Sequence, residues 1–522
     1  MRIAVIGAAS SGLVTLKYLR DAMPHAELLC FEAGHSVRGC WGNQRPDFVS
    51  TSTKYTTQFS CFRRWPPTAG ERAAADEFFR GGEFGDYLDA FADRFELRGY
   101  VRFGSRVQRL ARSNDRWKLT IASGEAQSTE LCDAVFVCSG LAAQRAPFSG
   151  GTIPLAPDPE AVRGARVVVI GGGESATDIA TYLAKPEHGN QVYLSLRSGV
   201  RVSPRYHPIR GVPSDFLRNR LLLSFDREIR NRIGERFVTF RIRWNRLLEK
   251  LFPHRSAAAR PNASARAMRR DWDLKLKARA KDRLFNVFHN KSDDFLDAVA
   301  DRRLQIVGPA ADDRWNEYHD FDRIGTQRID PDLLVWSGGY RSGLEELTGG
   351  IVAMRDFYHG CVHTSMPNLF LIGFARPIIG NIPSIAELQA RYAVAVLTGD
   401  VLMPEDTMQV QAHAWEELQH AYPTIDTSNV YPVEQFPYCD TLAREIGIMP
   451  TAQSVGSRRL WRKLMLAPAS TTHYVDEYFD ANALAQQKVY SPALITALLR
   501  IIQVQQALRR VLRRPPHRAL RS

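Results

Sequence analysis

Apolar positions fall in short, punctuated runs from the first residues onward. Arg2–Gly7 is apolar and β-branched (Ile3, Val5, Ile6) and ends on glycine, which predicts a short buried strand. Leu13–Met23 follows with Leu13, Leu16 and Leu19 at helical spacing, and Glu27–Glu32 is again strand-like. Strand, helix and strand in this order predict a βαβ start. Residues 101–121 alternate as strands, Ala134–Gly140 reads as another buried strand, and a loop rich in Pro, Gly and Ala covers about 141–163. Then the pattern begins again. Arg166–Ile170 is a strand, Gly171–Ala176 a glycine turn, Thr177–Leu183 a helix and Gln191–Leu196 a strand. Residues 208–300 carry Arg, Leu and Phe at helical spacing and predict a helical insertion. Strand signals return at Asp332–Tyr340 and Asn368–Gly373; from about 425 the pattern is irregular, then helical at the end. Two βαβ starts without a short repeat predict an α/β chain with two Rossmann-like dinucleotide-binding units, not a solenoid.

Composition narrows this little. The 522 residues suffice for two to four domains, and 44% hydrophobic with 24% charged residues excludes a disordered chain. No run of 18 apolar residues occurs, and the N-terminus enters a strand directly, so neither a membrane span nor a secretory signal is expected. Seven cysteines without a CxxC pair point to a reduced, cytoplasmic protein with no disulfide framework or zinc site. The net charge of +13 is concentrated in two Arg-rich stretches, and nothing in it calls for nucleic acid as a partner.

The chemistry sits in the two turns. In Gly7-Ala8-Ala9-Ser10-Ser11-Gly12, Gly7 permits the tight turn, Gly12 permits close helix packing, and the helix N-terminus offers free N–H groups to a pyrophosphate. Ala9 places a methyl where a glycine is usual. Glu32, at the end of the second strand, suits ribose hydroxyls. The bland alternative, a tight turn with no ligand, explains the turn but not the acid. In the second turn Gly171, Gly173 and Ala176 hold the demanding positions, with Glu174 and Ser175 between them. Arg197 and Ser198 stand where the first unit has its acid, and a guanidinium and a hydroxyl suit a 2′-phosphate. One turn reads as an FAD site, the other as an NADPH site.

Together with Arg38-Gly-Cys-Trp41, Phe136-Val-Cys-Ser-Gly140, Leu194-Ser-Leu-Arg-Ser-Gly199, Trp336-Ser-Gly-Gly-Tyr340 and Ile382–Arg391, these motifs resemble class B flavoprotein monooxygenases. The flavin-containing monooxygenases are the nearer match and Baeyer–Villiger monooxygenases the cousins; the resemblance covers about 1–205 and 325–400. It implies an FAD-binding domain from 1–150 and 325–420, an inserted NADPH-binding domain at 160–324, and a C-terminal extension at 425–522. It further implies FAD contacts at Gly39, Trp41, Val107, Gly140 and Gln389, and an NADPH contact at Ser337. The implied reaction uses O2 and a small organic substrate: NADPH reduces FAD, a C4a-(hydro)peroxide forms, and the site excludes water.

Two positions depart from the family. The identifying segment begins as Phe148-Ser-Gly150 but has Pro154 where histidine is usual. Counting back from Cys61 puts Lys54 at the family's active-site asparagine, where it is either a catalytic cation or a solvated loop lysine. Oxygenation of an amine nitrogen or sulfur is the first reading, and Baeyer–Villiger oxidation the second. A halogenase, in which a lysine relays a hypohalous species, is one rival, and an NADPH-dependent flavin reductase is another. His207 and Asp215 flank a turn read as structural, and His289 and His319 lack metal-ligand spacing. Ile495, Leu498, Ile502, Leu508 and Leu512 precede or interleave Arg509–Arg514, which reads as a docked basic helix or one lying on an anionic membrane.

Overall fold

The computed structural model describes residues 1–66, 76–148, 153–206, 211–251 and 263–490. Five parallel strands form the first sheet in the order Leu369–Leu371, Ala134–Val137, Arg2–Ile6, Glu27–Phe31, Val101–Arg102. A short antiparallel pair, Phe357–Tyr358 and Val362–His363, extends it beyond Leu369–Leu371. Segments on either side of the second sheet's strands in sequence therefore contribute to one sheet. Ile6 pairs with Phe31 and with Val137, so three strands end level and their turns open at one edge, where open α/β sheets bind ligands. Helix Ser10–Ala22 packs against the long helix Ile382–Thr398 and is buried on most of its surface from Ser10 to Leu19.

The second sheet has the parallel strands Leu333–Trp336, Arg166–Ile170, Gln191–Ser195 and Leu304–Ala310, continued by the antiparallel Glu317–Asp320 and Thr326–Arg328. Val167 and Val169 face one apolar cluster while Val168 and Ile170 face another. A strand buried on both faces needs an unbroken apolar run, which is why Val167–Ile170 lacks alternation. The chain crosses between the sheets twice. The two crossings pair as an antiparallel ribbon, Gln144 with Arg341 and Arg145 with Tyr340.

Three segments differ from the sequence expectation. The loop at 141–163 contains that ribbon strand and a single helical turn at Pro159–Ala161. The region 208–300 has helices Arg227–Leu251 and Ala263–Ala278, but its strand Asn290–Lys291 pairs with Val202–Ser203. Beyond 425 the chain is ordered: Tyr431–Glu434 pairs in parallel with Ala375–Ile379, and helices Gln435–Glu445, Arg458–Leu466 and Ala481–Gln486 follow. Register against a distant strand, invisible in local periodicity, orders this segment. Among the described residues no helix is long and apolar enough to cross a membrane. The basic helix expected near 495–514 lies outside the described residues.

Candidate functional site: two dinucleotide cradles and the strand between them

The first turn is built by close approach. Gly7 has φ +98°, and a Cβ there would lie 2.8 Å from the Cys138 carbonyl oxygen; one on Gly12 would lie 1.8 Å from that of Gly7. Ala9 is the N-cap of helix Ser10–Ala22, and no side chain caps that end, leaving its first N–H groups for a ligand. The Ala9 methyl, where a glycine is usual, has a defined neighbour. It is directed at Gly39, where an added Cβ would come within 2.6 Å of it. Gly39, at φ +53°, thus makes room for the methyl that Ala9 adds. The residue pair replaces the missing glycine.

Glu32 is braced before any ligand arrives: Oε2 accepts from the Ala8 N–H (2.8 Å) and Oε1 from the Gly34 N–H (2.7 Å). Its remaining lone pairs are free for ribose hydroxyls. Trp41 ends the turn Gly39–Trp41 and packs edge-on to Phe84, with ring centroids 4.9 Å apart. Gly140 follows strand Ala134–Val137 with open space around it, and Val107 opens the strand beside Ser105, whose N–H bonds the Glu32 carbonyl (2.8 Å). Gln389, expected as a flavin contact, is engaged by the protein itself. It is fully buried, and its amide bonds Gly373 N–H (2.8 Å), the Tyr438 hydroxyl (2.9 Å) and the Gly360 carbonyl (3.4 Å). Its polar atoms are used behind the cradle, where they fix Gly373 against Ser11.

The second turn faces a cleft of about 730 Å³. Gly171, Gly173, Glu174, Arg197, Ser198 and Ser337 all line it, and Ala176 packs inward behind them. A Cβ on Gly171 would lie 2.3 Å from the Ser337 carbonyl oxygen, so the turn and strand Leu333–Trp336 meet backbone to backbone. Ser175, exposed in the first turn of the helix, is not among the lining residues. Lys281, from the insertion, joins Arg197 in the cleft as a second cation that no motif announced.

Lys54 proves neither solvated nor free. It starts the one-turn helix Lys54–Thr57, is 4% exposed, and its Nζ pairs with Asp76 (2.6 Å) and Glu83 (3.1 Å) beside the Trp65 and Phe79 rings. Pro154 replaces the family histidine with backbone bonding: its carbonyl accepts from Leu334 N–H (3.0 Å). Phe148 packs edge-on to Trp315 and tilted against Trp336, while the rest of that segment, at 149–152, lies outside the described residues.

Residues 1–272 match the profile of the FMO-like family, described as flavin-binding monooxygenase-like. The chain belongs to this family. It is a flavin-binding monooxygenase. A 4-hydroxybenzoate brominase (decarboxylating) of Marinomonas mediterranea is 26% identical over 91% of this chain and 89% of its own length. A dimethylaniline monooxygenase (N-oxide-forming) 2 of Rattus norvegicus is also 26% identical, over 91% of this chain and 88% of its own. A solved steroid monooxygenase bound to NADP has the same fold, with a TM-score of 0.57, 17% identity, and coverage of 85% of this chain and 97% of that one.

In this monooxygenase the groups that join the two cradles carry no local sequence signal. Asp215, read as part of a structural turn, is buried and ion-paired with Lys291 (2.6 Å) and Arg218 (3.2 Å), and accepts from Thr53 N–H (3.0 Å). Burial raises its carboxyl pKa, but Lys291 and Arg218 outweigh this and hold it below the usual range. Lys291 also bonds the Thr51 carbonyl (2.6 Å), and Arg205 bonds those of Ser50 (2.9 Å) and Val49 (2.6 Å). Three side chains of the second unit thus grip strand Val49–Thr53, which runs straight into Lys54. His207, expected beside Asp215, lies outside the described residues.

Arg376 is the converse: a residue of the first unit that lines the cleft of the second, 3.9 Å above the Phe288 ring. Burial lowers its pKa against the opposing pull of Glu174, and burial likewise raises that of Glu174. His289 is half-buried, bonds Ser203 Oγ (2.8 Å) and the Leu284 carbonyl, and is pushed down to about 4 by loss of solvent around its ring. Among the described residues no cluster of His, Cys, Asp or Glu could hold a metal.

Proposed function

We propose that the chain is an FAD- and NADPH-dependent monooxygenase that oxygenates a small organic molecule at an amine nitrogen or a sulfur, or carries out Baeyer–Villiger oxidation of a ketone. The observation that carries this reading is the contrast at the ends of two equivalent strands: Glu32 on the first, Arg197 and Ser198 on the second. A carboxylate accepts from ribose hydroxyls and repels a 2′-phosphate, whereas a guanidinium and a hydroxyl bind that phosphate. Bound flavin supplies the redox and oxygen chemistry. The protein's residues bind and orient. The uncapped helix at Ser10 takes one pyrophosphate and that at Glu174 the other, with Arg376 offering the first unit's cation across the cleft. Asp215, Lys291 and Arg205 fix strand Val49–Thr53, so that Lys54 is held by Asp76 and Glu83 instead of by water.

Acid release of the bound chromophore tests the reading. FAD is expected; FMN alone, or colourless protein that FAD does not reconstitute, overturns it. Turnover under labelled O2 should then place one labelled oxygen in the product. A second reading, halogenation of an aromatic substrate, is supported by the likeness to the Marinomonas brominase along 91% of the chain. Product mass with and without bromide separates the two.

A further inference from the structure

A second cavity, of about 510 Å³, lies between the segment that follows Lys54 and the C-terminal segment 472–490. Its size is that of a small-molecule site. The wall is aromatic at Tyr55, Trp65 and Tyr490 and cationic at Arg63, Arg64 and Lys488, against one carboxylate, Asp480. Neither nucleotide turn contributes to it.

Two lining residues carry buried polar atoms without a partner: Arg63 Nη2 and His473 Nδ1. Arg63 uses only Nε, on the Ser60 carbonyl (2.9 Å). His473 is 2% exposed, and its neighbours fix its tautomer. Gln487 Nε2 donates to the Tyr55 hydroxyl (2.7 Å) and the Pro468 carbonyl (3.4 Å), which leaves Oε1 facing His473 Nε2 at 3.1 Å. Nε2 therefore carries the proton, and Nδ1 is a bare acceptor. Burial, then the Arg220 cation, then that of Arg63 push the imidazole down to about 3, so it stays neutral in use. A buried donor and a buried acceptor left unpaired each cost free energy until a ligand meets them.

We infer that this cavity binds an aromatic carboxylate whose ring carries a hydroxyl or N–H donor. The carboxylate meets Arg63 with Arg64 and Lys488 nearby; the ring lies along the aromatic wall; the donor meets His473 Nδ1. This inference deepens the reading that links the chain to the 4-hydroxybenzoate brominase, and because binding is measured without turnover its failure is distinguishable from failure of that reading.

The test is calorimetric titration of the flavin-loaded enzyme with 4-hydroxybenzoate, with saturating NADP⁺ present so that the nucleotide cleft is filled. Saturable one-to-one binding is expected. Benzoate lacks the donor and 4-methylphenol lacks the anion, and each should bind about tenfold or more weakly. Arg63→Gln should weaken the acid by a similar factor, Arg63→Lys by less, and His473→Phe should bring 4-hydroxybenzoate down to benzoate. Flavin content and melting temperature establish that each variant is folded; should His473→Phe not fold, Arg63→Gln and Lys488→Gln decide. Absence of saturable binding, equal binding of all three probes, or full affinity in both Arg63→Gln and Lys488→Gln overturns the inference. After turnover with NADPH and O2, recovery of a chemically altered acid makes the cavity a substrate site. Recovery of unaltered acid with a changed NADPH oxidation rate makes it an effector site; either result keeps the binding assignment.

Discussion

The two cradles solve one geometric problem in different ways. In the second, glycine occupies the positions where backbone must approach phosphate, and Gly173 has open space before it. In the first, the middle glycine is Ala9, and the room is recovered some thirty residues later by Gly39. The first is locked by distant partners, whereas the second opens onto its cleft. Charge diverges as well, an acid against a base at equivalent strand ends. A fingerprint is thus a spatial requirement that two separate residues can meet together.

The sharpest way to break this comparison is to remove the recovered room. Gly39→Val adds left-handed backbone strain and overpacking, together about 2–5 kcal/mol. Set against flavin binding, that lowers affinity about 30- to 4,000-fold. The milder Gly39→Ala should be partly rescued by Ala9→Gly, which removes the collision of the two methyls and leaves the left-handed strain at φ +53°. Flavin content of the purified variants, by absorbance per polypeptide, checks both; full flavin in Gly39→Val would show that the pair does not compensate.

The base of the second cradle comes next. Arg197→Ala should raise KM for NADPH by about 10- to 150-fold, the loss of a charged hydrogen bond of roughly 1.5–3 kcal/mol. NADH lacks the phosphate, so its constants should hardly change and the preference should collapse. Steady-state oxidation at one salt concentration measures this, and equal loss of both cofactors would make Arg197 structural. Lys281 leaves a second cation in the cleft, which places the expected loss toward the lower end.

Lys54 tests the strand between the cradles. Lys54→Ala should leave reduction of the flavin by NADPH largely intact while product per NADPH falls several-fold and hydrogen peroxide rises. Unchanged coupling would restrict Lys54 to tying Asp76 and Glu83 to the one-turn helix.

The smallest effect is graded. His289, behind the second cradle, and His473, in the separate cavity, have pKa values pushed down to about 4 and about 3, below their unfolded value near 6.5. Between those values the unfolded state binds more protons, so each contributes stability that is complete above pH 6.5. That contribution is lost on acidification, at up to roughly 1.4 kcal/mol per pH unit for each histidine, until its folded pKa is reached. The melting temperature should fall steadily from pH 7 to 5, and the fall should be shallower in His473→Gln. A flat profile would contradict both burials.

Much of this was legible locally. Buried β-branched runs such as Val167–Ile170, the glycines of both turns, and the opposed Glu32 and Arg197 all declare themselves within a few residues. What was hidden depends on contacts far apart in sequence. Nothing near Ala9 says that Gly39 will yield to it, and nothing near Lys54 names Asp76 or Glu83 as partners. Asp215 looked like turn chemistry because Lys291 and Thr53 meet it only after the two sheets are docked. The cavity at His473 is likewise written in two pieces, one following Lys54 and one near the C-terminus.

The ribbon that pairs Gln144–Arg145 with Tyr340–Arg341 has one further consequence. Antiparallel neighbours lie about 5 Å apart, so the chain leaves the first sheet and comes back to it at nearly one point. Everything between, residues 146–339, enters and exits through the same doorway. In genetic terms such a segment is a cassette: a single recombination event can carry it in or out while the host's strand order survives. A two-residue hairpin joining Arg145 to Tyr340 would close the gap at little cost in loop entropy. The second cradle of this flavoprotein thus sits on a part that joins the first sheet at one doorway and is tied to the rest by the grip of Asp215, Lys291 and Arg205 on strand Val49–Thr53.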